Sequence, residues 1–204
     1  MPIEQNRQSV LRLFNENFYP HIIGDLDELD NIQASTNRSA CAVPTAMLIL
    51  STLEMLGYLL KPGGRSGASL NNIKFAIKYN RYYPQAYSTS TIKDLVTIYR
   101  HGMMHSFFPS NQTTNQVYGI HKSPNTVLME NITITATTIK SLNVNVLSKD
   151  FRQYINSLYS EIQSTTDGVL LQGICNKFRT RYHSSLITTA TTTTQTTIPP
   201  GSLR

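Results

Sequence analysis

The chain has 204 residues, 40% of them hydrophobic and only 15% charged, long enough to bury one core with an appendage and needing no disulfide or metal staple. Its formal charge of +6 favours a polyanionic partner, because a positive field attracts phosphates. Cys41 and Cys175 match no metal-binding spacing and are expected as buried small apolar residues, and the opening residues lack the apolar run of a secretory signal, so a cytoplasmic protein is expected.

Ile3, Val10, Leu11, Leu13, Phe14 and Phe18 predict an amphipathic first helix that ends near Tyr19 and Pro20. The polar stretch 24–37, with its acidic run at 25–30, is expected as a solvated loop or short helix. A second helix over 40–60 is the most apolar part of the chain. Glu54, Ser51, Thr52 and Thr45, and the lack of basic anchors on both sides, argue for a buried central helix and against a membrane span. Glu54 needs a partner there: a core arginine or hydroxyl, or the helix that follows later in the chain, where it would orient Arg100 or a histidine.

The glycine-rich linker 61–67 lacks the Gly-Lys-Ser/Thr ending of a phosphate loop and reads as a connector. A third helix over 69–83 carries Lys74, Lys78 and Arg81 as a basic stripe. Tyr79, Tyr82, Tyr83 and Tyr87 stand beside it, a mixture that can hold phosphates while stacking bases, or form a solvated lysine face with tyrosines half in the core.

The fourth helix, from Thr91 to Pro109, holds Arg100, His101 and His105 within six residues. Arginine can grip a phosphate bidentately and stays charged, while histidine titrates near neutrality and can give or take a proton. Ile92, Leu95, Val96, Tyr99, Met103 and Phe107 form its apolar face, with Arg100 at the margin. At α-helical pitch Asp94, His101 and His105 fall within about 40° of one another on the far side. Two other readings stay open: a zinc pair at His101 and His105, or two surface histidines with an arginine that pairs with Glu54.

Alternation at 117–120, 126–129 and 132–139 predicts two or three short antiparallel strands, with His121 as an ordinary residue of the first turn. Helices follow at 150–162 and 168–181, the latter with a basic end at 177–183 that could extend an RNA surface. The threonine-rich 184–204 reads as a disordered tail, leaving one domain at 1–183 with a β insertion at about 116–147.

The Arg-x-x-x-x-His spacing of Arg100 and His105, with a polar residue directly after the arginine and three helical segments before it, resembles the HEPN superfamily over roughly residues 1–110. The resemblance implies a mainly α, up-and-down helical bundle with the small antiparallel insertion and C-terminal helices added. It also implies a metal-independent endoribonuclease without cofactor, of the kind that serves as a toxin or phage-defence effector and is held by an antitoxin or other regulatory protein. Such enzymes are homodimers whose motif helices face each other across a composite site. Arg100 would then contact the scissile phosphate of RNA, His105 would act as general acid or base, His101 would support by hydrogen bonding, and Glu54 would stand near the site. Close approach of two subunits would explain Gly102 inside the motif helix. A catalytically inactive HEPN-like module binding RNA, a nucleotide or a protein is the alternative.

Overall fold

The most apolar segment becomes the axis of the fold. In a computed structural model, which describes residues 2–32, 40–63, 68–83, 87–111 and 116–182, helix α3 (Ala42–Leu60) buries residues on every side, among them Ile49, Leu50, Leu53 and Leu56. It is long and apolar enough to cross a bilayer, yet 61% of its most apolar window is buried against the rest of the chain. Lys177 closes its C-terminus, donating to Tyr58 O at 3.0 Å, to Leu59 O at 3.1 Å and to Lys61 O, so carbonyls that a helix end leaves unmatched are satisfied.

The chain enters as α1 (Ile3–Leu13), which passes without a break through a π-helical stretch (Phe14–Ile23) into α2 (Gly24–Asn31). The sequence predicted an end at Pro20, and the structure corrects this. A proline lacks the N–H and crowds the carbonyl four residues back, and the wider π turn, closed here by Gly24 N–H on Tyr19 O, accommodates both. The acidic run is therefore a helix. Its Asp27 and Asp30 meet Arg152 at 2.6 and 3.0 Å.

Helix α4 (Ser69–Lys78) lies against α3 at Gly57, where a methyl group would sit 1.8 Å from Asn72 O, so only a glycine lets the two backbones approach this closely. The predicted third helix stops early. After α4 comes a single tight turn, Tyr79–Arg81, in which Asn80 takes a left-handed conformation with φ 45°. Next, α5 (Thr89–Asp94), a second π-helical stretch (Leu95–Arg100) and α6 (His101–Ser106) run as one rod.

Strands β1 (Val117–His121), β2 (Met129–Ile134) and β3 (Thr137–Asn143) form a mixed sheet in the order β1-β3-β2. The expectation of a purely antiparallel insertion is corrected: β2 and β3 are an antiparallel hairpin, but β1 runs parallel to β3. The stretch 132–139, which alternates like one strand, turns at Thr135 (φ 50°) and supplies both arms of the hairpin. Leu142, Ile120 and Met129, side by side in register, face the helical core.

Helix α7 (Val144–Ser164) is capped by Asn143, whose side chain accepts from Asn145 N–H at 3.2 Å, and buries Leu147, Phe151, Tyr154, Ile155, Leu158 and Ile162. Helix α8 (Gly168–Tyr182) completes the bundle and buries Cys175, whereas Cys41 is only half-buried, contrary to expectation. The threonine-rich tail, His183, Pro84 and most of the glycine-rich linker lie outside the described residues.

Candidate functional site

The motif rod begins at Ser88, whose hydroxyl accepts from Thr91 N–H at 3.1 Å. Ile92, Leu95, Val96, Tyr99 and Met103 bury its apolar face, joined by Ile98. Phe107 does not join them. It ends α6 in a left-handed conformation with φ 59° and leaves its ring 73% exposed.

Across the π-helical stretch, hydrogen bonds skip one residue more than in an α-helix, as where His101 N–H donates to Val96 O. Each residue there advances by less than 100° around the axis, so faces assigned at α-helical pitch separate across it. This parts Asp94 from the histidines. Asp94 accepts from Lys140 Nζ at 2.6 Å instead, while Tyr99 Oη donates to Lys140 O at 3.1 Å, and these two bonds fasten the rod to β3. No group of three His, Cys, Asp or Glu residues poised for a metal exists among the described residues, so a zinc pair at His101 and His105 has no third ligand there.

His101 and His105 are exposed and stand one turn apart. With Thr97, Gly102, Ser106, Ser110 and Asn111 they line a shallow depression of about 380 Å³. Its far wall exists because the chain doubles back after Phe107, and Ser110 N–H donates to Ile98 O at 3.3 Å. Gly102 permits this return, since a Cβ there would lie 2.6 Å from Ser110 N and 3.0 Å from Phe108 O. The glycine is thus explained by the chain's own fold, without a partner subunit.

Arg100 lies elsewhere on the rod and does not line that depression. Its guanidinium pairs with Glu54, and the same carboxylate accepts from Ser69 Oγ at 2.8 Å. The side chains of Arg100 and Glu54 are 19% and 23% exposed. Glu54 therefore meets Arg100, an arrangement common to the functional and the purely structural readings of these residues.

The basic stripe shortens to two exposed residues one turn apart on α4. Lys74 is exposed, Lys78 donates to Tyr87 O at 3.0 Å, and Arg81 sits in the tight turn, its side chain outside the description. The neighbouring tyrosines are not a stacking platform. Tyr79 and Tyr82 donate to Glu161 at 3.0 and 2.9 Å, Tyr87 donates to Asp150 at 3.1 Å, and Tyr83 and Tyr87 are buried. Burial, followed by the Glu161 carboxylate, holds the Tyr79 phenol well above its ordinary value. At the basic end of α8, Lys177 caps α3, and Arg181 lies 4.9 Å over the Tyr58 ring, so these cations serve the fold.

His121 is no loop residue. It ends β1, with Nδ1 2.6 Å from Ser141 Oγ and Nε2 2.7 Å from Glu130 Oε1, the second contact lying off the line of a hydrogen bond. The alternation of β1 and β3 was the only sequence signal for this cluster, and reading 132–139 as a single strand concealed the register that brings Glu130 beside Ser141.

A second cavity, of about 400 Å³, opens between the end of α3, α4 and the α7–α8 hairpin. Its Glu161, Asp167 and Lys177 are already engaged by Tyr79, by the N–H groups of Val169 and Leu170, and by the α3 carbonyls.

Comparison with protein-family models, with curated proteins and with solved structures finds no match.

Proposed function

We propose that the chain is a metal-independent endoribonuclease of HEPN type, acting as a homodimer and serving as a toxin or phage-defence effector under the control of an antitoxin or other regulatory protein. The observation that carries this reading is the pair His101 and His105, side by side in an open depression on the helix that bears Arg100. Both imidazoles are exposed, and an exposed imidazole within reach of a substrate can give or take a proton.

In the proposed reaction a ribose 2′-hydroxyl loses its proton to a histidine, the O2′–P bond forms, and the P–O5′ bond breaks as O5′ receives a proton. The products are a 2′,3′-cyclic phosphate and a 5′-hydroxyl. His105 exchanges protons, His101 hydrogen-bonds beside it, and Arg100 stabilises charge on the phosphoryl oxygens. Arg100 is paired with Glu54 within one copy, and in the proposed dimer the depression of one copy faces the rod of another. Lys74, Lys78 and Arg81 would extend phosphate contact, with net charge +6 speeding encounter.

The Arg100–Glu54 pair also supports a second reading, a catalytically inactive HEPN-like module that binds RNA, a nucleotide or a protein, because a guanidinium already engaged has less to offer a phosphate. Incubation of purified protein with a broad RNA panel in EDTA separates them. Cleavage to 2′,3′-cyclic ends, abolished by His105→Ala and absent on DNA, supports the enzyme. RNA left intact by a folded wild-type dimer, with binding retained, supports the module.

A further inference from the structure

We infer that Ser141, His121 and Glu130 form a second reactive centre, an acyl-transfer site on the outer face of the sheet that takes esters with an aliphatic acyl group. It shares no residue with the histidine depression on the motif rod.

The placement follows from register. Gly119 of β1 and Glu130 of β2 stand directly opposite Ser141 of β3, and His121 lies two residues beyond Gly119, so all four occupy one face. The alternate residues Ile120, Leu142 and Met129 pack on the helical core, which puts the serine face outward. Three adjacent strands thus present a hydroxyl, an imidazole and a carboxylate in a row, at 2.6 Å from Ser141 Oγ to His121 Nδ1 and 2.7 Å from His121 Nε2 to Glu130 Oε1. The carboxylate is itself held. Asn125 Nδ2 stands 3.0 Å from both of its oxygens.

A nucleophilic serine needs a base within hydrogen-bond reach and a third group that orients the base. The Glu130 carboxylate makes no hydrogen bond to Nε2, but its charge 2.7 Å away favours a proton on that nitrogen and so leaves the Nδ1 lone pair for the serine hydroxyl. The imidazole is used in the reverse sense from the familiar triad order, and the proton chemistry is the same through either nitrogen.

Ser141 is only 3% exposed, and the edge strand β1 passes beside its hydroxyl as bare backbone, since a Cβ at Gly119 would stand 2.9 Å from Ile139 Cγ2 and 3.1 Å from Ser141 Oγ; the proposed reaction therefore needs that edge to yield to a substrate. On the same face Val117, Ile139 and Ile132 make an apolar row across the three strands, continued by Ile134, which is 55% exposed. An aliphatic acyl chain laid on this row would carry its carbonyl toward Ser141.

In the reaction Ser141 Oγ attacks the ester carbonyl carbon and its proton passes to His121 Nδ1. As the tetrahedral adduct collapses, the C–O bond to the alcohol breaks and the alcohol oxygen takes that proton. Water, giving a proton to the same nitrogen, then attacks the acyl carbon; the C–Oγ bond breaks, Ser141 Oγ takes that proton back, and the free acid leaves. Ser141 and His121 are the catalytic residues, and Glu130 is a positioning residue.

The test uses the full chain with an alkyl fluorophosphonate, which forms an Oγ–P bond as the P–F bond breaks and fluoride leaves with the proton, and with p-nitrophenyl butyrate as the ester. Expected are a phosphonyl adduct mapped to Ser141, its loss in Ser141→Ala, and a fall in ester turnover of about a hundredfold in His121→Gln. Glu130→Gln should lower kcat about tenfold with KM unchanged, a split that mere loosening of the sheet would not give. Ser141→Cys, which keeps size and shape, should transfer labelling to iodoacetamide at position 141. No adduct on folded wild-type protein, or an adduct that persists in Ser141→Ala, overturns the proposal. None of these readouts involves RNA, so this proposal and the ribonuclease reading stand or fall separately.

Discussion

Glu54 and Arg100 form an ion pair that ties the middle of α3 to the end of the π-helical stretch, and Ser69, the first residue of α4, donates to the same carboxylate. Three helices meet at one acid. Because both charged side chains are more than three-quarters covered, deleting either leaves the other poorly solvated, a loss of about 1–3 kcal/mol. Glu54→Ala and Arg100→Ala should each lower Tm, by about 2–4 °C per kcal/mol for a chain of this size. The double variant should be less damaged than the sum, with a coupling of at least about 0.5 kcal/mol in thermal denaturation. Additive losses would show that the two charges stabilise independently.

Gly102→Ala is expected to strike the histidine depression through the chain's own return loop. The new methyl would press on Ser110 N and Phe108 O, backbone atoms that cannot swing away as a side-chain tip can. Overpacking of this kind costs about 1–3 kcal/mol. The loss in Tm should be the same at dilute and concentrated protein, whereas a glycine needed for subunit approach would give a loss that depends on concentration.

Much of this arrangement was legible in the chain itself, and the failures have identifiable physics. Periodicity found α3, the apolar face of the motif rod, and α7, because long stripes of aliphatic side chains have few alternative homes. It failed where helical pitch changed. The π-helical stretches carry no distinct hydrophobic signature, so Pro20 looked like an end and Asp94 looked like a neighbour of His101. It failed again where pairing was non-local: nothing near Val117 indicates that β1 lies parallel to a strand some twenty residues on. The tyrosines beside Lys78 read as a surface because their polar tips are visible in sequence, while the Glu161 and Asp150 that bind those tips are distant along the chain.

Two glycines should respond in opposite directions. Gly57→Ala would place a methyl 1.8 Å from Asn72 O, at the closest contact of α3 with α4, and the helices cannot separate without opening the core. The loss should reach about 4 kcal/mol or more, seen as a collapse of Tm or as insoluble protein. On α8, a methyl added at Gly173 would meet nothing within 4 Å, and alanine there should raise stability by about 0.4–1 kcal/mol through better helix propensity and a less mobile unfolded chain. Circular dichroism melts of both variants check the contrast.

Alkaline unfolding should be steep, because the tyrosine cluster joining α7 to the segment after α4 resists ionisation. Tyr83 packs against Tyr87 at 4.8 Å and against Tyr154 at 5.0 Å, and burial raises all three phenols well above their ordinary value, with Asp150 adding to the effect at Tyr87. A tyrosine in the unfolded chain titrates at about pH 10. Below that pH both states hold the proton and the contribution to stability is fully present. Above it the unfolded chain releases protons that the folded chain retains, so stability falls as pH rises toward the raised folded values, by about 1.4 kcal/mol per pH unit for each such group. Denaturant titrations should therefore give constant tyrosine-linked stability up to about pH 10 and a steep loss beyond it, with tyrosinate absorbance from the cluster appearing together with loss of the helical signal. Tyr83→Phe is the sharpest check, since the Tyr83 hydroxyl has no hydrogen-bond partner among the described residues. The variant should match or exceed wild type at pH 7 and shed one proton's worth of the alkaline slope. An unchanged slope would show that Tyr83 ionises as readily folded as unfolded.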